Sequence, residues 1–239
     1  ASIAVATTVA TAGVAAVKSG IDYQKQLANV STLLTGTEAE ISARTAEIGK
    51  DILKVSNDTG VETANLTDGM YQVISAFGDS KDAMSILETS AKAAAAGNAT
   101  TTDSVNLLSA VMKGYKDVSA ESAQKVADLS FATVRLGQTS FRELASSIGK
   151  VVPLSSALNV QQEELYGVFA TLTGVTGSTA EVATQYKAVL SGLMTPSKDM
   201  AASLKKLGFS TADAAIKSLG FQGTLEALMG TVGGGTQAM

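Results

Sequence analysis

Apolar residues recur at helical spacing along most of the chain. Spacings of three and four residues keep side chains on one face of an α-helix. Four predicted helices show the pattern, in the sets Ile41, Ile48, Ile52 and Val55; Leu66, Met70, Val73 and Phe77; Ala83, Leu87 and residues 93–96; Val105, Leu108, Met112 and Tyr115. No stretch keeps a period of two. The pattern predicts an all-α fold, an array of short-to-medium amphipathic helices without a sheet.

Helix starts and stops are marked by capping residues. Ser140 followed by Glu143, and Ser178 followed by Glu181, have the spacing of a capping box, in which hydroxyl and carboxylate each accept a free backbone N–H. Ser119 is predicted to begin a helix that Gly137 ends. Further predicted starts are Ser80, Thr195 with Pro196, and Ser210 with Asp213, and further stops are Gly97 in the left-handed conformation, Gly208 and Gly220. Glu40 and Arg44 are predicted to pair across one turn.

Seven apolar positions repeat at an offset of about 78 residues. The pairs are Leu66 with Leu144, Met70 with Ile148, Ile74 with Val152, Leu87 with Leu165, Leu108 with Tyr186, Met112 with Leu190, and Tyr115 with Leu193. Such a register is expected if one helical unit was duplicated and packed on itself. Chance alignment of helical seams is the alternative, and the sequence leaves both open.

Three segments are predicted. Residues 1–20 form an apolar small-residue helix, residues 21–208 a helical core, and residues 209–239 short helices with a Gly-rich linker. The run Ala1–Val17 has no charge and as a helix would be about 26 Å long, short of a hydrocarbon layer of about 30 Å. A buried or self-associating helix fits this run best, and a membrane-active segment is the alternative. Small residues four apart, such as Ala6 and Ala10, allow close helix approach in lipid, but Ala-rich soluble helices have the same spacing.

Composition limits the chemistry. The 239 residues contain no His, Cys or Trp, which excludes imidazole and thiolate chemistry. The net charge is −4, and no basic stripe predicts a nucleic-acid surface; Lys205 and Lys206 fit a solvated helix face near Lys198 and Asp199.

The remaining candidate sites have simpler explanations. Glu163 with Glu164, and Glu38 with Glu40, are neighbours on helices and point apart, so neither pair predicts acid–base catalysis. Two glycine motifs, at residues 174–177 and 230–233, fit turns between helices, because neither has the surroundings of a phosphate loop. Asn57 and Asp58 are too few ligands for a metal. The sequence predicts no catalytic, cofactor-binding or metal-binding residues and no cofactor.

The order of several short motifs resembles the conserved region of phage tail tape measure proteins. The segment Ile21–Leu34 is similar to that family's opening, and the likeness extends over residues 21–208. The further matching segments are the helix Ile41–Ser56, Thr59 with Gly60, Tyr71–Ala76, Ala91–Gly97, Gly137–Leu144, Gly149–Pro153, Leu172–Gly174 and Leu193–Pro196.

The resemblance implies a non-enzymatic virion component. It implies a protein of the tail lumen that templates assembly of the tail tube, sets tail length and leaves ahead of the DNA at infection. The expected partners are the tail tube protein, tail-tip proteins, a tail assembly chaperone and further copies of the chain, with a host membrane contact through residues 1–17 and no sequence-specific nucleic acid. The expected location is the virion tail lumen, and the host cytoplasm during assembly.

Two other functions fit the same sequence. One is a membrane-perforating helical protein that forms pores by itself, which requires an apolar segment long enough to span a bilayer. The other is a helical interaction module such as an effector or an assembly chaperone. The absence of long flanking coiled coils indicates that this region is a conserved helical domain of the tape-measure type and not the measuring rod.

Overall fold

The computed structural model describes residues 22–232, and within that range it contains helices, turns and loops but no strand. The predicted all-α fold is confirmed. The chain divides into two compact units, one ending at Val105 and the other beginning at Asn106. The predicted segment boundaries after residues 20 and 208 differ from this division and stay predictions.

Unit 1 is built from four helices and the start of a fifth. Their bounds are α1, residues 22–31; α2, Glu38–Thr59; α3, Thr63–Phe77; α4, Ala83–Ala96; and α5, Thr101–Gly114, which continues past the unit boundary. The core lies where α2, α3 and α4 pack together. Ile48, Ile52, Leu66, Met70 and Leu87 are each 0% exposed there, so the predicted apolar seams face the interior.

Unit 2 contains the remaining helices. They are α6, Ala120–Leu136; α7, Phe141–Ser147; a 3-10 turn, Ile148–Lys150; α8, Val152–Ala157; α9, Gln162–Thr176; α10, Thr179–Met194; α11, Lys198–Lys206; and α12, Ala212–Val232. α9 packs against both α6 and α10, and its Leu165 and Phe169 are fully buried. α12 packs on α10 and α9 and on α11. α12 is interrupted at Gly220, which has φ 75° and ψ 170°, so the predicted stop at this residue is confirmed.

Several predicted caps are confirmed. Ser119 caps α6 by accepting from the Ser122 N–H, and Gly137 follows its last residue. Ser140 and Glu143 form a complete capping box at α7, because hydroxyl and carboxylate each accept from the other residue's backbone. Ser178 accepts from the Glu181 N–H, but the Glu181 carboxylate accepts from the Gln185 side chain instead, so only half of that predicted box forms.

Two other predicted helix starts are wrong, and the predicted stop at Gly97 is correct in position but not in conformation. The residue before α4 is Asp82 and not Ser80, and its side chain makes no capping bond. Gly97 has φ −93°, and the left-handed residue is Asn98, with φ 50°; an asparagine tolerates this conformation better than most residues. Ser197 caps α11, so the helix begins after Thr195 and Pro196. The serine hydroxyl, which accepts from the Met200 N–H, determines that start.

The predicted pairing of Glu40 with Arg44 is also wrong. Glu40 accepts from the backbone N–H and the hydroxyl of Thr37, completing a capping box at the start of α2. Arg44 donates two hydrogen bonds to Asp79, at 2.8 and 2.7 Å, and one to Glu47 at 2.7 Å. A bidentate carboxylate contact is stronger than a single flexible pair on a helix surface, which explains the preference.

The order of helices repeats at the offset of 78 residues. A shift by 78 moves α2 from 38–59 to 116–137, close to α6, and moves α4 from 83–96 to 161–174, close to α9. It moves α5 from 101–114 to 179–192, close to α10. The shifted α3 covers residues 141–155, where the second unit has α7, the 3-10 turn and α8. The correspondence of whole elements supports the duplication over chance alignment of seams.

Some sequence predictions concern residues outside the described range. The helix predicted for residues 1–20 lies before it, and the Gly-rich linker lies partly after it. Residues 230–232 are the last turn of α12, which corrects the prediction that the motif at 230–233 is a turn between helices. No helix within residues 22–232 has the length and hydropathy needed to cross a membrane.

Candidate interaction groove

An open groove in unit 2 lies between α9, α10 and the second half of α12. Its volume is about 760 Å³, within the range of about 300–1,000 Å³ that is usual for ligand-binding clefts. The apolar part of its lining comes from all three helices. These residues are Val168 and Leu172 of α9, Tyr186 and Val189 of α10, and Phe221 and Leu225 of α12.

The base of the groove is an aromatic cluster. The rings of Phe169 and Phe221 both meet Tyr186 edge to face, with centroids 6.3 and 5.4 Å away. Tyr186 is 3% exposed and Phe221 4%, and burial raises the pKa of Tyr186 to about 12. Edge-to-face pairs stabilise beyond the area they bury. The cluster therefore makes the base of the groove rigid and keeps Tyr186 uncharged at neutral pH.

Glu164 holds the second half of α12 against α9. Its Oε1 accepts a hydrogen bond of 2.7 Å from the backbone N–H of Phe221, directly after the interruption at Gly220. The carboxylate thereby satisfies one of the free N–H groups at the start of the helical segment that follows. A Cβ on residue 220 would lie 2.7 Å from the same oxygen, so a side chain there would displace the Glu164 carboxylate as well as strain the backbone at its positive φ.

Glu163 lies at the rim of the groove and has a different partner. Its carboxylate forms an ion pair with Lys125 of α6 at 2.7 Å. The hydrogen bond from Lys125 is the main cause that lowers the pKa of Glu163. Glu163 and Glu164 therefore bind different groups, Lys125 of α6 and the backbone of α12.

The upper part of the groove is left open. Val189 is 43% exposed, and a Cβ on Gly167 would meet no atom within 4 Å. Val175 and Met229, on the next turns of α9 and α12, are 80% and 72% exposed. Apolar side chains that line an open concave surface are typical of a binding site for another chain.

The other candidate site residues are separate from this groove. Glu38 lines a cleft between α1 and α2, and Glu40 caps α2. Gly174 lies within α9 and Gly177 ends it in the left-handed conformation, with φ 68°. Asn57 and Asp58 lie near the end of α2. Within residues 22–232, no three acidic side chains come together as a group that could hold a metal ion.

Sequence reasoning did not find the groove. Glu164 and Phe221 are 57 residues apart, and no local pattern connects them. The available signals were Gly220, which marks the interruption, and Val189, an apolar residue at the edge of the buried face of α10.

The family model of the phage-related minor tail proteins matches residues 49–239. The chain belongs to this family. Comparisons with curated proteins and with solved structures find no match. The protein is a structural component of a phage tail, and the groove is a surface of that component.

Proposed function

We propose that the chain is the conserved helical domain of a tape-measure-type tail protein. In this role it occupies the tail lumen, templates assembly of the tail tube, contributes to the control of tail length and leaves ahead of the DNA. The observation that carries the proposal is the match to phage-related minor tail proteins over residues 49–239. The order of short motifs over residues 21–208 adds the resemblance to tape measure proteins in particular.

The domain is a poor measuring rod by itself. As one straight helix, 239 residues would extend about 360 Å at 1.5 Å per residue. The longest described helix, α2, has 22 residues, which is about 33 Å at the same rise. Folding into short helices shortens the segment greatly, so the proposed contribution is a docking and assembly platform and not length as such.

The proposed partners are the tail tube protein, tail-tip proteins, a tail assembly chaperone and further copies of the chain, with assembly in the host cytoplasm. We propose a non-enzymatic role without cofactors. The buried core and the open apolar groove support binding to protein surfaces. The small net charge of −4 limits electrostatic attraction to DNA passing through the same tube.

Deletion in the phage tests the role. Residues 22–232 are removed in frame from the tail gene, and tails are measured by electron microscopy. The proposal expects no tails, or tube-like structures of uncontrolled length, because templating is lost. Tails of normal number, length and infectivity would contradict it. A matched control replaces exposed Lys187 with Ala, which should leave tails unchanged.

The proposal includes a membrane contact through residues 1–17 during ejection. The uncharged sequence of that segment favours it. Liposome leakage and flotation are compared for the full chain and for a chain that lacks residues 1–17. The expected result is weaker binding and leakage without the segment, and equal behaviour of the two proteins would exclude this contact.

A further inference from the structure

A cleft beside the contact of α1 with α2 leaves a large apolar side chain uncovered. The two helices approach closely at Gly49, where an added Cβ would lie 2.9 Å from Leu27 Cδ1, and the Tyr23 hydroxyl donates a hydrogen bond of 2.6 Å to the Gly49 carbonyl. The cleft next to this contact has a volume of about 550 Å³, and Leu53 lies in its wall. Leu53 is 46% exposed, and among residues 22–105 no other large apolar side chain is exposed.

The α2 wall of the cleft is a row of small side chains that ends at Leu53. At spacings of four, three and four residues, the row consists of Ser42, Ala46, Gly49 and Leu53. From Glu38 to Leu53, the residues that line the cleft extend over about 22 Å of α2, at about 1.5 Å per residue. Small side chains at a contact let two helix axes approach closely, so the shape of the cleft fits one further helix of about 15 residues.

We propose that residues 1–17 of the same chain form the helix that occupies this cleft and covers Leu53. The segment lies before the described range, which begins at Asp22, one residue before Tyr23 of the cleft wall. As a helix it would be about 26 Å long, close to the length of the cleft. Residues 18–21 would connect it to α1, and connections between packed helices are commonly two to eight residues long. So short a tether gives a millimolar effective concentration, which favours this segment over that of a second copy.

The sequence of the segment complements the α2 wall. Short connections make neighbouring helices antiparallel, so a segment that packs back along α1 runs parallel to α2. An offset of 37 residues then gives the facing pairs Val5 with Ser42, Val9 with Ala46, Ala12 with Gly49, and Ala16 with Leu53. Each pair contains at least one small side chain, which lets the two rows interdigitate. At about 100° per residue, Thr7 and Thr11 each lie about 160° around the helix from Val9, so their hydroxyls face away from the cleft.

The docked segment is the one for which a membrane contact during ejection is proposed. Docking covers it in solution, so that a membrane contact requires the segment to leave the cleft first. The docking itself is a contact within one chain and does not depend on the tape-measure role. The tests below use the purified chain without membranes or tails, so their failure and the failure of the vesicle and tail-length experiments are distinguishable.

Disulfide formation tests the contact at the end of the cleft that is far from the connection, because the chain has no native cysteine. In the full-length double variant Val5→Cys with Ser42→Cys, oxidation of a dilute solution should form a disulfide within one molecule, seen as a monomer of altered mobility in a non-reducing gel. The control Val5→Cys with Ala43→Cys moves the α2 cysteine about 100° around the helix. It should react at least about tenfold more slowly, because a disulfide requires the two Cα atoms within about 7 Å.

Three results of the disulfide experiment would overturn the proposal. They are equal rates for the two cysteine pairs, absence of the disulfide between residues 5 and 42, and formation of that disulfide only between molecules. The last result would assign the cleft to the segment of a second copy. Peptide mass identifies the joined residues, and the size of the oxidised species separates a bond within one molecule from a bond between two.

Protease protection gives a second readout, because elastase cleaves after the small apolar residues that are abundant in residues 1–17. Ala46→Glu places a charge in the wall of the cleft and should make cleavage of the segment at least about tenfold faster than in wild type. Ala43→Glu makes the same substitution at an exposed position of α2 outside the cleft, and it should be cleaved like wild type. Circular dichroism of both variants should match wild type, since both side chains are exposed. Equal cleavage of the wild type and Ala46→Glu would contradict docking.

Discussion

Gly220→Ala is the sharpest test of how unit 2 is held together. Gly220 has φ 75° and ψ 170°, a conformation that is essentially restricted to glycine and costs other residues about 1–3 kcal/mol. The new Cβ would also lie 2.7 Å from Glu164 Oε1, so the carboxylate must move away from the Phe221 N–H. Loss of a hydrogen bond to a charged group costs about 1.5–3 kcal/mol.

The two effects together predict that Gly220→Ala lowers the free energy of unfolding of unit 2 by about 2.5–6 kcal/mol. Urea denaturation followed by circular dichroism measures this change. Hydrogen exchange then shows where the substitution acts, because residues 221–232 of α12 should lose protection while α9 and α10 keep theirs. Glu164→Ala should have a smaller effect, about 1.5–3 kcal/mol, because it removes only the hydrogen bond.

A matched control is Gly174→Ala. Gly174 lies within α9 and would meet no atom with an added Cβ, so alanine should stabilise the helix by about 0.5–1 kcal/mol. The double variant Glu164→Ala with Gly220→Ala should lose less free energy of unfolding than the two single variants together, because both substitutions act on one contact. If Gly220→Ala unfolds within about 0.5 kcal/mol of wild type, the capping role of Glu164 and the backbone restriction at Gly220 are both refuted.

Three further substitutions test the helix caps, the packing and the surface charges. Ser140→Ala removes the hydroxyl that accepts from the Glu143 N–H and should cost about 1 kcal/mol in urea denaturation; an unchanged midpoint would show that the capping box contributes nothing. Gly69→Ala places a Cβ 2.5 Å from Thr101 Cγ2 and 3.0 Å from Leu87 Cδ1, so overpacking should destabilise unit 1 by about 1–3 kcal/mol. Lys125→Met removes the ion pair that lowers the pKa of Glu163. A carboxyl whose pKa is lower in the folded state stabilises the fold at pH above its unfolded-state pKa, and this stabilisation is lost as pH falls through its folded-state pKa. The variant should therefore be slightly less stable than wild type at neutral pH, and the two should be equally stable in acid. Lys187→Met is the control, and a difference that persists below the folded pKa would contradict the assignment.

The sequence predicted elements whose signals are local. Ser119 and Gly137 mark the ends of α6 because a cap needs only its own backbone neighbours. The capping box at Ser140 was predictable for the same reason. Thr195 and Pro196 gave a wrong start for α11, since Ser197 supplies a better-placed hydroxyl two residues after Thr195. Adjacent signals compete, and spacing alone does not decide between them.

Contacts between residues far apart in the chain could not be predicted. Arg44 binds Asp79, 35 residues away, although Glu40 stood at the usual helical spacing. The groove depends on Glu164 and Phe221, which only the packing of α12 on α9 brings together. Apolar periodicity identified Tyr186 as part of a seam, but it did not show that Val189, one turn further along α10, is 43% exposed.

The repeat turns this exposure into an argument about function. If the two copies of the helical unit had only to fold, the covered face with Ser90 and Ala94 would be the sufficient solution. In the second copy the same positions hold Val168 and Leu172, which are half-buried and line the open groove, while Glu164 holds α12 beside them. An open apolar face on a rigid aromatic base lowers solubility and does nothing for the stability of an isolated chain. It becomes favourable when another surface covers it.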